Sequence, residues 1–439
     1  MEYQSREAIV SVIYQVLEEK KHSDTVLHQV LCEVGTKAQD RGRIKKESYG
    51  VIERQIELDY MIDRFSKLPV RKMKPYIRTV LRMAVYEILY MDQIPESASC
   101  NEAVKLVVRR GYKNLRGFVN GVLRSICREG EKVKCPSLSV TYSMPEWIVS
   151  LLTDCYGKKT TEKILQTFLA EEPLTIRVNT EKVSVFAMQE LLTEANIRWK
   201  SGFYHKEALR LMGNFRVENL PGYEEGYFVV QDESSMLPVL VSGIKPGDVV
   251  MDLCAAPGGK TMQAAELLQG KGVVSSRDLT EYKVAKITEN KTRTGYHTIK
   301  EKVWDATVLD LDWVEKADVV IADVPCSGLG IIGRKPDIKY QVSKESLEEL
   351  VKLQRKILQQ AITYMKPGGA LIYSTCTLNP AENTGQAQWL IEQGLMPESM
   401  DEFLPEELRN SQTREGRLQI LPGIQKSDGF FVAKFRKMS

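Results

Sequence analysis

Apolar positions in the first 130 residues recur at helical spacing. Ala8, Ile9, Val12, Ile13, Val16 and Leu17 form one stripe. Ser23 and Asp24 stand where they can cap a second helix. Leu81, Met83, Val85, Ile88 and Leu89 predict a buried helix, and Pro95 with the small residues after it breaks the pattern. Asn101 to Val108 and Phe118 to Arg124 read as further amphipathic helices. Such stripes need one another to leave water, so the front of the chain is expected to be a helical bundle. Lys132 to Ser143, with Pro136, reads as a linker.

The period then changes. Pro145-Glu-Trp-Ile-Val149 opens a short helix, Pro173 to Asn179 reads as a strand, Val183 to Ala195 as a helix and Phe228 to Val230 as a strand. From about residue 225 strands and helices alternate. The strands are Val249–Leu253, Gly272–Ser276, Thr298–Val303, Asp318–Ala322, Ala370–Ser374 and a late one at Phe430–Phe435. The clearest helix is Glu345 to Met365, followed by a turn at Lys366-Pro-Gly-Gly369. Val249 to Leu253 is apolar but for Asp252, the run expected of a strand buried on both faces. It runs into Cys254-Ala-Ala-Pro-Gly-Gly-Lys260 and a helical stretch to Leu268. Alternation of this kind predicts a doubly wound, mostly parallel sheet. The expected organisation is therefore multidomain: an all-α helical bundle over 1–140, a small α+β connecting subdomain over 141–224, and an α/β Rossmann-like domain over 225–439.

Composition narrows the class. At 439 residues the chain exceeds one ordinary core, and 27% charged with 43% apolar residues is the balance of a soluble globular protein. No apolar run is long enough to cross a membrane, and Met1-Glu-Tyr-Gln opens polar and acidic, unlike a signal peptide. Eight cysteines without C-x-x-C pairing and only four histidines point to reduced thiols, a cytoplasmic location and no metal site. The net charge of +3 is unevenly spread: through residue 140 there are 25 Lys+Arg against 18 Asp+Glu. Arg64, Lys67, Arg71, Lys72, Lys74, Arg78 and Arg82 follow one another without an acid between them. This front is either a polyanion contact or a solvated basic face.

The chemistry is expected at the carboxyl ends of the strands, where ligands bind in open α/β sheets. The turn after Val249–Leu253 is neither G-x-G-x-x-G nor a P-loop, but its glycines admit close backbone approach and its helix start offers free N–H groups. Asp252, Asp278, Asp305 and Asp323 each end or follow a strand. Asp278 suits the two hydroxyls of a ribose, or the cap of the following helix; Asp305 suits an adenine amino group, or is a surface carboxylate. Nothing there is built for phosphates, which favours S-adenosylmethionine over a dinucleotide. Cys326, in Asp323-Val-Pro-Cys-Ser-Gly328, and Cys376, in Ser374-Thr-Cys-Thr377, follow neighbouring strands and would face one cleft. A lone cysteine is ordinarily a small core residue; two at adjacent strand ends are candidates for nucleophilic catalysis. Cys254 is nearby in sequence, but it sits inside the glycine loop, where its backbone matters more.

Asn101-Glu-Ala-Val-Lys-Leu106 and Phe118-Val-Asn-Gly-Val-Leu-Arg124 resemble signature segments of the NusB-like RNA-binding helical domain. Pro145-Glu-Trp147 and Arg177-Val-Asn179 resemble the connecting subdomain of RNA methyltransferases, where Arg177 either touches RNA or is structural. Gln231-Asp-Glu-Ser-Ser235, Asp252-Leu-Cys-Ala-Ala-Pro-Gly-Gly-Lys-Thr261, Asp323-Val-Pro-Cys-Ser-Gly-Leu-Gly330, Tyr373-Ser-Thr-Cys-Thr377 with Glu382-Asn383, and Asp428-Gly-Phe-Phe431 resemble the RNA cytosine-5 methyltransferases. In this order they cover nearly the whole chain, which is similar to bacterial 16S rRNA methyltransferases of the RsmB/Sun/Fmu type.

The resemblance implies roles. Cys376 would add to C6 of cytosine, because C5 is too weak a nucleophile to take a methyl group unaided. Cys326 would assist proton removal and product release; in the DNA cytosine-5 enzymes the Pro-Cys cysteine is instead the nucleophile. Asp323 would hold the cytosine edge beside the cofactor. Cys254, Ala255, Ala256, Pro257, Gly258, Gly259, Lys260, Asp278 and Asp305 would bind S-adenosylmethionine. Thr377 replaces a serine but keeps the hydroxyl, and Ser275-Ser-Arg277 departs from a more apolar pattern before Asp278. The expected substrate is naked or partly assembled 16S rRNA, with the protein a monomer that needs neither membrane nor DNA. The competing readings are methylation of another RNA, or an RNA-binding assembly or antitermination factor with an inert catalytic half.

Overall fold

The helical front consists of α1 (Glu2–Leu17), α2 (Ser23–Glu33), α3 (Ala38–Glu53), α4 (Gln55–Phe65), α5 (Pro75–Tyr90), α6 (Glu96–Arg109) and α7 (Arg116–Glu129) in a computed structural model that describes residues 2–33, 38–213 and 215–438. Helix α5 is apolar on nearly every face and is buried accordingly: Ile77, Val80, Leu81, Met83, Ala84 and Val85 are each at most 1% exposed. It packs on α1, α3, α4, α6 and α7, so it is the axis of the bundle. Pro75 sits at its first turn, where the missing N–H costs nothing.

Several charged side chains inside this bundle are paired. Arg6 Nε donates to Glu87 Oε1 at 2.8 Å, and Arg43 Nη2 reaches the same oxygen at 3.2 Å. Burial, then the charge of Glu87, pushes the Glu47 carboxyl up to about 8. The basic run from Arg64 to Arg82 divides in two. Arg82 donates to Asp59 at 2.7 and 2.8 Å, and both Arg82 and Arg78 bond Glu18, so these two hold the bundle together. Lys67, Arg71, Lys72 and Lys74 remain exposed.

Residues 132–143 are more ordered than a linker. Ser137 caps a short helix, Leu138–Thr141, and Ser143 Oγ accepts the Ile56 N–H at 2.9 Å. Two helices follow, Glu146–Tyr156 and Lys158–Phe168; the second carries an apolar stripe of Ile164, Leu165 and Phe168 that the sequence reading passed over. They belong to one compact unit, Met1–Leu169 with Ile332–Val342, and the second compact unit is Ala170–Ile331 with Ser343–Ser439.

The second unit holds two sheets. The smaller is antiparallel, in the order β2-β3-β1-β4, from β1 (Leu174–Val178), β2 (Arg198–Ser201), β3 (Ala208–Met212) and β4 (Phe228–Val230). Strand β2 is mostly exposed and polar, so no apolar alternation announces it. Arg177 on β1 is 1% exposed; it ion-pairs with Glu266, and its Nε donates to Gln231 at 3.1 Å. An RNA contact is closed to this side chain, and its structural reading holds.

The larger sheet comprises β5 (Val249–Asp252), β6 (Val273–Asp278), β7 (Ile299–Val303), β8 (Ala317–Asp323), β9 (Met365–Thr375), β10 (Leu395–Pro397), β11 (Arg417–Ile420) and β12 (Phe430–Lys437). Its order is β10-β12-β9-β8-β5-β6-β7, with β11 paired to β12. The pairs from β7 through β9 are parallel, while β12 lies antiparallel to β9. This is a doubly wound, Rossmann-like sheet with an antiparallel edge. The expected turn at Lys366–Gly369 lies within β9, where Met365 pairs with Ala317 and a register shift absorbs the glycines. Winding reverses between β5 and β8, which places the crevice at their carboxyl ends.

Candidate active site

The reversal gathers residues that are far apart in sequence. Asp252 ends β5, Asp323 ends β8, and Cys376 follows the last residue of β9. Strands β8 and β9 pair in parallel with Asp323 opposite Ser374, so the loops leaving them share one side. Cys326 Sγ and Cys376 Sγ are 3.3 Å apart. The Cys326 thiol is pushed well up, first by its hydrogen bond to Cys376 and then by burial. Either sulfur can be the donor in this contact.

Beside the thiols, Lys260 Nζ donates to Asp323 Oδ2 at 2.6 Å and lies 5.2 Å from the centre of the Phe430 ring. The second oxygen of Asp323 accepts from Ser374 Oγ at 2.8 Å. Asp323 is thus oriented from two sides, while Lys260 leaves the glycine loop to reach it.

The two cysteine loops are tied to one carboxylate. Glu382, fully buried, accepts the Ser327 N–H at 2.9 Å and the Ser327 hydroxyl, Gln354 Nε2 at 2.9 Å and Asn379 Nδ2 at 3.0 Å. Ser327 Oγ also meets Thr377 Oγ1 at 2.6 Å, so the hydroxyl kept at position 377 joins the loops directly. Asn383 Nδ2 donates to the Thr377 carbonyl at 2.9 Å.

The glycine loop runs from Cys254 through Ala255, Ala256, Pro257 and Gly258 to the helix Gly259–Leu267. Gly258 has φ +107°, which a side chain would strain, and a Cβ there would meet Met262 Cε at 3.1 Å. Asp278, at the end of β6, accepts the Ala256 N–H at 3.0 Å and the Leu279 N–H at 2.8 Å. Thr280, two residues on, caps the following helix, so Asp278 is not its cap. Arg277, the departure before it, is 1% exposed and turned away: it ion-pairs with Asp310 at 3.0 Å and lies 5.1 Å from the Trp313 ring centre. Asp305 follows β7 and folds its carboxylate onto its own turn, accepting the Thr307 N–H at 2.9 Å and hydroxyl at 2.7 Å. The Cys254 thiol, pushed up by burial, packs in the core.

These groups suit an adenosine cofactor that carries positive charge. Asp252 Oδ1 is buried without a hydrogen-bond partner, its other oxygen accepts from Thr261 at 2.7 Å, and burial pushes the carboxyl up to about 7. The nearby lysines are engaged, Lys260 with Asp323 and Lys283 with Asp278 at 3.0 Å, so neither is left free for a phosphate. Among the described residues no group of His, Cys, Asp or Glu is arranged to hold a metal ion, and no helix is long and apolar enough to cross a membrane.

Residues 239–436 match the profile of the 16S rRNA methyltransferase RsmB/F family. Residues 3–128 match that of the NusB family, and residues 144–218 that of the ferredoxin-like domain of RsmF/B-like methyltransferases. The probable ribosomal RNA small subunit methyltransferase B of Bacillus subtilis (strain 168) is 35% identical, across 98% of this chain and 98% of its own length. The chain belongs to the RsmB/F family. A namesake from Synechocystis is 32% identical across 99% of both chains. A crystal structure designated PH0851 superposes with a TM-score of 0.83 at 26% identity, covering 99% of each chain.

In this RsmB/F methyltransferase the structure brings Cys326, Cys376, Asp323 and Lys260 together and sets Asp278 against the glycine loop. It leaves Asp305 bonded to its own turn. Sequence reasoning gave no role to Ser327, Gln354, Ser374, Glu382 or Phe430. The available signal was Glu382 itself, an acid in the otherwise uncharged stretch Ser374–Asn383 that follows a buried strand. An ionised side chain there needs several donors or it does not stay buried.

Proposed function

We propose that the protein transfers a methyl group from S-adenosylmethionine to C5 of a specific cytosine in 16S rRNA, through a transient Cys376–C6 bond. The contact between Cys326 and Cys376 is the observation that carries this reading. Bound in the glycine loop, S-adenosylmethionine supplies an electrophilic methyl group. Cys254 to Lys260 would lie along it, with Asp278 at the ribose and Asp305 at the adenine.

Cys376 adds to C6, and the electrons of the C5–C6 double bond move to make C5 the nucleophile. Asp323, oriented by Lys260 and Ser374, holds the cytosine edge and in its protonated form donates to N3, where negative charge gathers during addition. The proton of the Cys376 thiol passes to water as the sulfur attacks, with Cys326 beside it. Once C5 carries the methyl group, Cys326 assists removal of the C5 proton, which its thiolate form accepts. The C–H electrons restore the double bond, the C6–S bond breaks, and Cys376 leaves with its electron pair.

Residues 1–140 serve as the RNA-binding domain, 141–224 as the connecting subdomain and 225–439 as the catalytic domain. The target base must be unpaired or flipped to reach a thiol, so the substrate is naked or partly assembled rRNA, met by a cytoplasmic monomer.

The test is transfer of labelled methyl groups to unmodified 16S rRNA by wild type, Cys376→Ala and Cys326→Ala, with each reaction run on a denaturing gel. Loss of transfer without an adduct in Cys376→Ala, and a trapped protein–RNA band in Cys326→Ala, is the expected pair of results. Wild-type transfer by Cys376→Ala overturns the nucleophile assignment. Transfer to tRNA instead of rRNA overturns the substrate. Absence of transfer to any RNA by a wild type that binds S-adenosylmethionine favours an RNA-binding factor.

A further inference from the structure

Two segments of the catalytic unit have no part in the chemistry above, Gln231–Ser235 and the turn that leads into Asp428–Phe431. Both are built around one exposed ring. Phe203 stands in the loop between β2 and β3 and is 37% exposed. The loop beneath the ring is fixed. Glu233, 2% exposed, accepts the N–H groups of Phe203 and Tyr204, each at 2.7 Å, and that of His205 at 3.2 Å. A Cβ on Gly202 would meet Glu233 Oε2 and Ala208 Cβ at 2.6 Å, so the loop closes only over glycine. The Tyr204 phenol accepts the Lys426 N–H at 3.0 Å. A buried carboxylate and three backbone donors thus hold a phenyl ring out in water, and a ring already held loses little freedom on binding.

The ring is set among cations. The Arg210 guanidinium lies 4.3 Å and Lys426 Nζ 4.5 Å from its centre. Lys200 of β2 is paired in register with Arg210 of β3. Leu209 and Leu211 turn to the face that packs with Met188 and Leu192 of the helix Val185–Glu194, so Lys200 and Arg210 share the opposite face. Like charges directly across two strands weaken the pairing. Among the described residues, no acid forms an ion pair with Lys200, Arg210 or Lys426. An anionic chain that carries flat rings would satisfy both the cations and the phenyl face.

The segment beside the ring runs on into the catalytic cleft. Ser427 Oγ accepts the Ser234 N–H at 3.0 Å and donates to Asp232 at 2.6 Å. The Gly429 N–H donates to the carbonyl of Gly330, in the Cys326 loop, at 2.9 Å, and the Phe430 ring lies 5.2 Å from Lys260 Nζ. From Lys426 to Phe430 the chain spans at most ~14 Å. We propose that Phe203 stacks an unpaired base of the RNA close to the target cytosine, with Lys200, Arg210 and Lys426 on the neighbouring phosphates. A base held there fixes the strand while the cytosine turns into the cleft. This rests on the function proposed above for the identity of the RNA, though not for the stacking.

The test measures filter binding of the full-length chain to unmodified 16S rRNA. Phe203→Leu, which keeps apolar bulk and loses the ring, is expected to weaken binding about tenfold with the salt dependence unchanged. Phe203→Tyr, which keeps the ring, is expected to bind as wild type does. Lys200→Gln/Lys426→Gln is expected to lower the salt dependence by about two counterions. In turnover the loss in Phe203→Leu is expected in KM for the RNA. Wild-type affinity in Phe203→Leu, an equal loss in Phe203→Tyr, or a fall in kcat alone overturns the inference. A direct readout is Phe203→Trp, whose added fluorescence should be quenched by single-stranded oligoadenylate and not by an RNA duplex of the same length. Absence of quenching, or equal quenching by the duplex, overturns it as well. If wild type methylates no rRNA, the proposed function fails, and the quenching decides the platform by itself.

Discussion

The Sγ atoms of Cys326 and Cys376 lie 3.3 Å apart although 50 positions separate them in the chain. Parallel pairing of β8 and β9, with Asp323 beside Ser374, brings the loops together, and Glu382 beneath them sets the final distance. Two thiols so placed oxidise readily to a disulfide, with peroxide taking up both hydrogens as water. Mild peroxide is expected to abolish methyl transfer, and dithiothreitol to restore it. Peptide mapping should recover a Cys326–Cys376 link, distinguishable from any formed by Cys100 and Cys127, whose sulfurs are 3.8 Å apart. Inactivation with Cys376 oxidised alone and Cys326 still a free thiol would contradict the geometry.

Glu382→Gln tests the node under both loops. The carboxylate accepts from Ser327, Gln354 and Asn379, and a carboxamide puts an N–H where one of those donors points. A misplaced reacting group of this kind costs on the order of a hundredfold in kcat. S-adenosylmethionine affinity, measured by calorimetry, should stay near wild type, because the glycine loop has its own support from Asp278. Loss of cofactor binding in step with kcat would mean that Glu382 holds the whole sheet end.

The pH response of the helical unit has a defined sign. Unfolded, the Glu47 carboxyl ionises near its ordinary 4.5; folded, burial and the Glu87 charge move it to about 8. Between these values the folded chain keeps a proton that the unfolded chain has lost, so stability falls as pH rises through the window. The loss is on the order of 5 kcal/mol across the window at most. Thermal melts from about pH 5 to about pH 8 should show Glu47→Gln with a flatter slope than wild type. Parallel slopes would place the titrating group elsewhere.

The basic run makes two different predictions along its length. Lys72 and Lys74 are exposed, and replacing both by Gln should weaken rRNA binding and lower its salt dependence by about two counterions, with the melting temperature unchanged. Arg82 is 4% exposed and engaged by Asp59 and Glu18, so Arg82→Gln should destabilise the fold by about 3 kcal/mol, as removal of one partner from a buried ion pair does. Filter binding across salt concentrations, beside thermal melts, separates the two. An unstable Lys72→Gln/Lys74→Gln protein would show that these lysines, too, are structural.

The chain by itself determined the elements whose signal is periodic. The stripe Ala8 to Leu17 lies in α1, the apolar run at Val249 is β5, and Phe228–Val230 is a strand at the expected residues. Apolar spacing is a local property, and burial of one face follows from it directly. Where burial is slight the signal disappears, which is why the exposed strand β2 went unread; β3 and β11 went unread although half or more of their residues are buried. Glycines misled at Lys366–Gly369, since a bulge in a paired strand and a turn use the same residues.

The tertiary structure alone decided the partners. Sequence placed Cys326 and Cys376 at strand ends, but their contact depends on which strands are neighbours and in what register. The run Arg64 to Arg82 reads as one basic face until Glu18 and Asp59 claim two of its members. Asp337 and Lys339 drew no reading from the sequence, yet they are buried against Ser23 and Glu53, more than 280 positions away. Charge carries no mark of its partner in a sequence; pairing is set by which surfaces meet, and only the folded chain specifies that.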